Sequence, residues 1–299
     1  MRPAVKRLVE NLLVSSGVAT LARRRLGGRT LVLAYHNVLP DGESAVGDLS
    51  LHLPRREFAG QLDALGETHD VVPITALAET PARAKRPRVV ITFDDAYAGA
   101  VTCGVDELVA RGMPATIFVA PDLLGSVTWW DQLAAHSGGI IADDVRKRAL
   151  GPLGGRTGKI LEGGTAVSRA LASPVSSARI GTESQLLKAA ARPGISIGSH
   201  SWSHPNLSSL DPASLDAELA RPRQWLEGRF PRAVPWVSYP YGMFTETVER
   251  AAERAGYRGA FRIDGGWMPD SPRALYAMPR LNIPSGLSIN GFRLRLAGL

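Results

Sequence analysis

Cysteine is almost missing from this chain of 299 residues: Cys103 stands alone. One thiol excludes an internal disulfide framework and any cysteine-rich zinc site. It falls within an expected helix, which favours a buried structural thiol over a nucleophile. Long apolar runs are missing too. Residues 1–28 carry Arg2, Lys6 and Arg7, then an apolar stretch broken by Glu10 and Asn11, then Arg23, Arg24 and Arg25. That is too polar to span a bilayer, and a small-residue cleavage site is poorly formed. Residues 1–29 read instead as a basic amphipathic segment that packs on the domain or lies on an anionic membrane surface. The expected location is the cytoplasm or the inner face of the membrane. The chain also lacks internal repeats and low-complexity tracts. Its formal charge of +7 favours anionic surroundings. The charge is scattered, however, with no aromatic-interleaved basic stripe and no nucleic-acid motif, so nucleic acid is not an expected partner.

The remainder has the makings of a core, with 44% hydrophobic and 21% charged residues. Strand-like segments, several of them continuous Val/Ile/Leu runs, recur at 31–34, 71–72, 88–92, 115–119, 195–198 and 234–239, with further ones at 258–263 and 278–283. Segments of helical period lie between them: Phe58, Leu62 and Leu65, then 97–111, 182–190, 212–227, 245–255 and 288–297. Thr182 with Gln185 three residues on forms a capping box. Buried strands alternating with helices predict an α/β fold with a parallel sheet, either a barrel or a doubly wound sheet. From 137 to 181 the pattern dissolves around the Gly-Gly pairs at 138–139, 154–155 and 163–164, which predicts an insertion. The domain proper is expected to run over 30–299.

Chemistry concentrates where strands end. Asp94 and Asp95 follow the strand 88–92, and His200 and His204 follow 195–198. A carboxylate and two imidazoles can hold a divalent ion and leave a position open, while the second carboxylate accepts a proton from water. The histidines lack the Glu of the helical zinc-protease pattern, because Ser201 stands there. Gly198 and Pro205 bracket them, so the segment reads as a loop. His36 and Tyr241 also lie just past expected strand ends. Such placement at strand C-termini is that of catalytic groups in barrel folds.

Thr92-Phe93-Asp94-Asp95 together with His200-Ser-Trp-Ser-His204 resembles the two leading motifs of the polysaccharide deacetylases, the NodB-homology domain of carbohydrate esterase family 4. The likeness runs from about residue 30 to about 284 and is weak over the insertion. It implies a distorted (β/α) barrel of about seven parallel strands. It also implies a divalent metal, usually zinc with cobalt or nickel as alternatives, and removal of an acetyl group from an N-acetylated sugar, oligo- or polysaccharide, or glycan precursor. By position, Asp94 resembles the family's general base, and Asp95, His200 and His204 its metal ligands. Ser238-Tyr239-Pro240-Tyr241-Gly242 resembles the third motif, in which the backbone N–H of the tyrosine at Tyr241 helps stabilise the oxyanion.

Three departures stand out. Ala96 replaces the usual Gly after the Asp pair. Ser238 replaces the Arg that opens the third motif, which predicts a base without its ion-pair partner. The late histidine acid is absent from Met278-Pro279-Arg280-Leu281-Asn282-Ile283. Tyr35-His36-Asn37-Val38 resembles the strand end of a branch similar to poly-β-1,6-N-acetylglucosamine deacetylases, which makes His36 the expected acid. Trp129-Trp130-Asp131 echoes the same branch, either as a sugar-stacking surface or as a core anchor for the insertion. Two other readings stay open: a catalytically impaired sugar-binding relative, and an amidase or O-acetyl esterase acting on a small acetylated metabolite.

Overall fold

The computed structural model describes residues 3–78, 86–162, 178–268 and 275–299. Two helices, α1 (Pro3–Ser15) and α2 (Val18–Arg24), lead into β1 (Thr30–Tyr35), and a short parallel pair, β2 (Asn37–Leu39) and β3 (His52–Pro54), follows. Then come α3 (Arg55–Thr68), β4 (Asp70–Val71), β5 (Arg88–Phe93), α4 (Val105–Ala110), β6 (Ala115–Val119) and α5 (Trp129–His136). The expected insertion contributes α6 (Asp143–Leu150) and α7 (Thr157–Glu162). Its Gly163-Gly164 pair lies outside the described residues. The chain resumes with α8 (Glu183–Ala190), β7 (Ile195–Ser199), α9 (Pro212–Glu227), β8 (Ala233–Ser238), α10 (Glu246–Arg254), β9 (Gly259–Phe261), β10 (Leu281–Asn282) and α11 (Ile289–Leu296). The Thr182–Gln185 capping box forms at the start of α8 as its sequence demands.

Seven strands pair in parallel in the order β10-β1-β5-β6-β7-β8-β9, with β4 beside β5. They form a curved half-barrel ringed by helices, a distorted (β/α) barrel. The two edges are joined by the last strand segment. Met278 exchanges hydrogen bonds with Ala260 and Arg262 beside β9, and Leu281 and Asn282 then pair with Leu33 and Ala34 of β1.

Alternation along the strands sorts the apolar residues into two layers. Leu31, Leu33, Val89, Ile91, Ile117, Ile195 and Ile197 point out under the helices. Val32, Val90, Phe118, Trp236, Phe261 and Met278 fill the barrel interior. Gly198 is needed there, because a Cβ on it would come within 2.6 Å of the Phe118 ring.

The helix expected over 97–111 is present over 98–110 but is not regular throughout. Residues Ala100–Gly104 form a π-helical turn within it, and regular α-helix continues from Val105. Cys103 sits in that turn, buried, with its thiol near the Val38 carbonyl oxygen at 3.3 Å. Burial pushes its pKa up to about 11, which fits a structural thiol. No helix among the described residues is long and apolar enough to cross a membrane.

Candidate metal centre and catalytic site

Every motif residue picked out in the sequence sits at the mouth of the barrel. Asp94 and Asp95 follow β5, His200 follows β7, and His200 N–H donates to Val119 O at 2.8 Å, prolonging the pairing of β7 with β6. Residues 200–204 form a loop, not a helix. Glu218 of α9 holds it: its carboxylate accepts the Trp202 and Ser203 N–H groups at 2.9 Å and the Ser203 hydroxyl at 2.6 Å.

Backbone strain is confined to this mouth. Among the described residues, five non-glycine residues have positive φ: Asp95 (68°), Ala96 (60°), Ser201 (63°), His204 (60°) and Tyr241 (59°). All belong to the three motifs. Each such conformation costs roughly 1–3 kcal/mol and persists because the surrounding packing dictates it. Ala96 therefore does adopt the conformation that would favour a glycine.

Asp95, His200 and His204 offer ligand atoms that all lie within 4.8 Å of one another, and all three are buried. Asp95 Oδ1 stands 3.2 Å from His204 Nε2 and 3.5 Å from His200 Nε2, and the two Nε2 atoms are 3.0 Å apart. The His200 tautomer follows from its other nitrogen, whose proton goes to Ser238 O at 2.7 Å. Its Nε2 is therefore a lone pair aimed at the cluster. Burial pushes the His200 pKa down to about 4 against the opposing pull of Asp94, so the ring is neutral near pH 7. Asp95 Oδ1 is buried with no hydrogen-bond partner. Lone pairs converging on one point around an orphaned carboxylate oxygen fit a divalent cation.

Asp94 lies beside this cluster, with Oδ2 3.9 Å from His200 Nε2. Here the sequence expectation of an unpaired base is corrected. Arg280, wholly buried, grips Asp94 with two parallel bonds, Nη1 to Oδ1 at 2.7 Å and Nη2 to Oδ2 at 2.6 Å. Its remaining protons go to Thr92 Oγ1 (3.1 Å), Ser238 Oγ (2.7 Å) and Arg262 O (3.1 Å). All five N–H donors of the guanidinium are thus used. It rests over the rings of Phe118 and Phe261, 5.7 and 5.8 Å from their centroids. The arginine missing at Ser238 is supplied by the last strand segment, and the small serine leaves room for it and bonds to it. Burial alone would raise the Asp94 pKa, but Arg280 first, then His200, outweigh it and hold the carboxyl well below the usual carboxylate range. A lone Arg inside the apolar stretch 278–283 was the signal available in the sequence, since a buried charge needs a partner.

Tyr241 is the second residue of a single 3-10 turn, Pro240–Gly242, where its N–H has no acceptor within the turn. Its hydroxyl accepts from Trp129 Nε1 at 2.9 Å and faces Gly155 O and His204 O at 3.3 and 3.2 Å. Trp129 and Trp130 are almost wholly buried, and both also line the cleft. Trp130 packs 4.9 Å from the His204 ring and donates to the Tyr97 hydroxyl at 2.8 Å. Asp131 beside them gathers a buried network. It accepts from His52 Nε2 (3.0 Å), Asp48 N–H (2.9 Å), Tyr97 OH (2.5 Å) and Thr128 Oγ1 (3.0 Å). Asn37 donates to the far nitrogen of His52 at 3.0 Å, which ties this network to the strand end bearing His36.

His36 is half-buried and opens on a cleft of about 310 Å3 with Asp94, Asp95, His200, His204 and Tyr241. The insertion reaches the same cleft through Arg146, which bonds Asp48 at 2.9 Å, and through Leu150.

Comparison with known proteins agrees with this geometry. Residues 169–260 match the family model described as polysaccharide deacetylase. YxkH of Bacillus subtilis (strain 168), named as a polysaccharide deacetylase, is 24% identical over 265 residues, covering 87% of this chain and 74% of that protein. Among solved structures, the Streptococcus pyogenes deacetylase PplD in complex with acetate superimposes with a TM-score of 0.60 at 18% identity, over 88% of this chain and 96% of that one. IcaB from Ammonifex degensii does so with a TM-score of 0.60 at 17% identity, over 90% and 97%. With its Asp pair and His pair brought to one mouth of the barrel, the chain is similar to the polysaccharide deacetylases in the family match over residues 169–260 and shares the fold of the solved deacetylase structures.

Proposed function

We propose that this protein is a metal-dependent hydrolase that removes the acetyl group from an N-acetylated sugar in a glycan or glycan precursor. The observation that carries this reading is the convergence of the Asp95, His200 and His204 ligand atoms beside a second carboxylate clamped by Arg280. Asp95, His200 and His204 would hold the cation, with zinc the first expectation. When bound, it supplies Lewis-acid polarisation of the acyl carbonyl and acidifies water. Asp94, kept ionised by Arg280, takes the proton from the attacking water. The N–H of Tyr241 donates to the oxygen on which charge develops. His36, facing the same cleft, gives a proton to the departing amine. An amine is a poor leaving group until protonated, so N-deacetylation needs this acid.

The reading of a catalytically impaired relative rested in part on a base without its arginine. Arg280 removes that ground. Released acetate measured over acetylated gluco- and chito-oligosaccharides, alongside metal content, tests the proposal. Asp95→Ala and His200→Ala are expected to lose metal and turnover together, whereas Asp94→Asn keeps the metal and loses the rate. Full turnover in Asp95→Ala or His200→Ala would end the assignment. Activity confined to O-acetyl esters or to small acetylated metabolites would move it to the esterase or amidase reading.

A further inference from the structure

The N-terminal helices are docked the wrong way round for a soluble surface. On α1, the face against the domain includes Glu10, whose carboxylate accepts from the Ser288 hydroxyl at 2.5 Å, with Leu13 and Val14 beside it. Asn11 is bonded to Asn290 on the same side at 2.7 Å. The opposite face carries Val5, Leu8, Val9 and Leu12, spaced i, i+3, i+4, i+7, and it is exposed, Leu8 and Leu12 each by 59%. Val18 and Leu21 of α2 add to it, Leu21 exposed by 58%. Six of the fourteen large hydrophobic residues exposed among the described residues thus lie on these two short helices. A contiguous apolar stripe of this kind marks a contact surface, since an ordinary amphipathic helix turns that face inward.

The charge around it identifies the partner. Residues 1–29 hold seven basic residues, Arg2, Lys6, Arg7, Arg23, Arg24, Arg25 and Arg29, against Glu10 alone, a net +6 of the chain's +7. Two copies of this chain meeting through the stripe would bring two such clusters together, which opposes self-association. Nucleic acid would leave the apolar residues exposed. An anionic bilayer satisfies both halves at once, with acyl chains for the stripe and headgroup charge for the arginines.

We infer that α1 and α2 form a peripheral docking surface for an anionic lipid bilayer, with Val5, Leu8, Val9, Leu12, Val18 and Leu21 entering the headgroup–acyl boundary. Vesicle sedimentation of the full chain tests this without any substrate, so its outcome is separate from that of the catalytic reading. Vesicles containing about one third phosphatidylglycerol are expected to retain the protein, and phosphatidylcholine alone to retain much less, with salt weakening the difference. Leu8→Ser/Leu12→Ser is expected to lower partition by on the order of tenfold. Lys6→Gln/Arg7→Gln/Arg24→Gln/Arg25→Gln is expected to lower it by about fivefold per charge, on anionic vesicles only. These side chains are exposed, and among the described residues only Lys6 of this set forms an ion pair, with Glu10 at 3.9 Å, so the melting temperature should move little in either variant. Equal retention on both vesicle types, or full retention of the Leu8/Leu12 variant, overturns the inference. So does sedimentation of the free protein as a dimer that the leucine substitutions dissolve, which would assign the stripe to a second copy.

Discussion

Replacing Arg280 tests the catalytic reading at the point the motifs did not reveal. Arg280→Gln removes a guanidinium whose five N–H groups are all bonded, and it leaves Asp94, Thr92, Ser238 and the Arg262 carbonyl short of donors. Breaking a buried ion pair from one side costs about 3–5 kcal/mol. Unfolding by urea should show a loss of that size, and Arg280→Lys, which keeps the charge but not the fork, should lose less. The kinetic effect has a definite sign. With Arg280 present, the Asp94 carboxyl lies well below its ordinary range, so the base is ionised across the whole working range of pH. Without Arg280 the burial of Asp94 dominates and its folded pKa rises. Turnover of Arg280→Gln should therefore fall as pH drops through the new value and recover toward alkaline pH. Wild-type turnover should lack this acid-side loss from the base. Metal content should be unchanged, since Arg280 touches none of the three ligand side chains. Acetate release followed against pH, with metal measured by atomic emission, reads all of this. A loss of rate that is equal at every pH would show that Arg280 is only a structural plug. An unchanged pH profile at full rate would refute its action on Asp94.

Further predictions concern the acid and the fold. His36→Ala should slow N-deacetylation by about 10²–10⁴ while costing an O-acetyl ester far less, as parallel amide and ester assays will show. Asp131→Ala removes the acceptor shared by His52, Tyr97, Thr128 and the Asp48 N–H, so thermal or urea unfolding should report a loss on the order of 3 kcal/mol. His69 is buried against Trp267, and burial, then Arg23, pushes its pKa down to about 4. The unfolded chain then binds the proton more readily than the folded one, so stability falls as pH drops from about 6.5 toward 4, by up to about 3 kcal/mol. Unfolding measured against pH should show this slope, and His69→Phe should reduce it, leaving the share of the similarly depressed His200.

The sequence made most of the barrel legible because its strands are continuous Val/Ile runs whose ends carry the chemistry. Asp94, Asp95, His200, His204, Tyr241 and His36 could be placed by that rule alone, and the cleft gathers all six. What could not be read were properties of register and packing. Arg280 is 186 residues from Asp94 in the chain, and only the pairing of β10 with β1, and of β1 with β5, brings them together. The π-helical turn at 100–104 is another case. A close approach to the Val38 carbonyl, where a Cβ on Gly99 would come within 2.0 Å, leaves no trace in hydrophobic periodicity. The outward apolar face of α1 likewise has the spacing of an inward one. Only the docking of Glu10 onto α11 shows which side faces solvent.

The route by which the last strand closes the barrel has a consequence for how the protein becomes competent. The ligand set comes from the ends of β5 and β7, neighbours through β6, and is complete once the central sheet has formed. The base is tuned only when residues 275–282 have been laid across the gap between β9 and β1 and have delivered Arg280 beneath Asp94. Under the proposed function, a chain whose C-terminal segment has come loose would keep the three ligand residues in place, yet its base would lose the guanidinium that holds it ionised. On that proposal, metal uptake would report assembly of the middle of the sheet, and turnover would report arrival of its end.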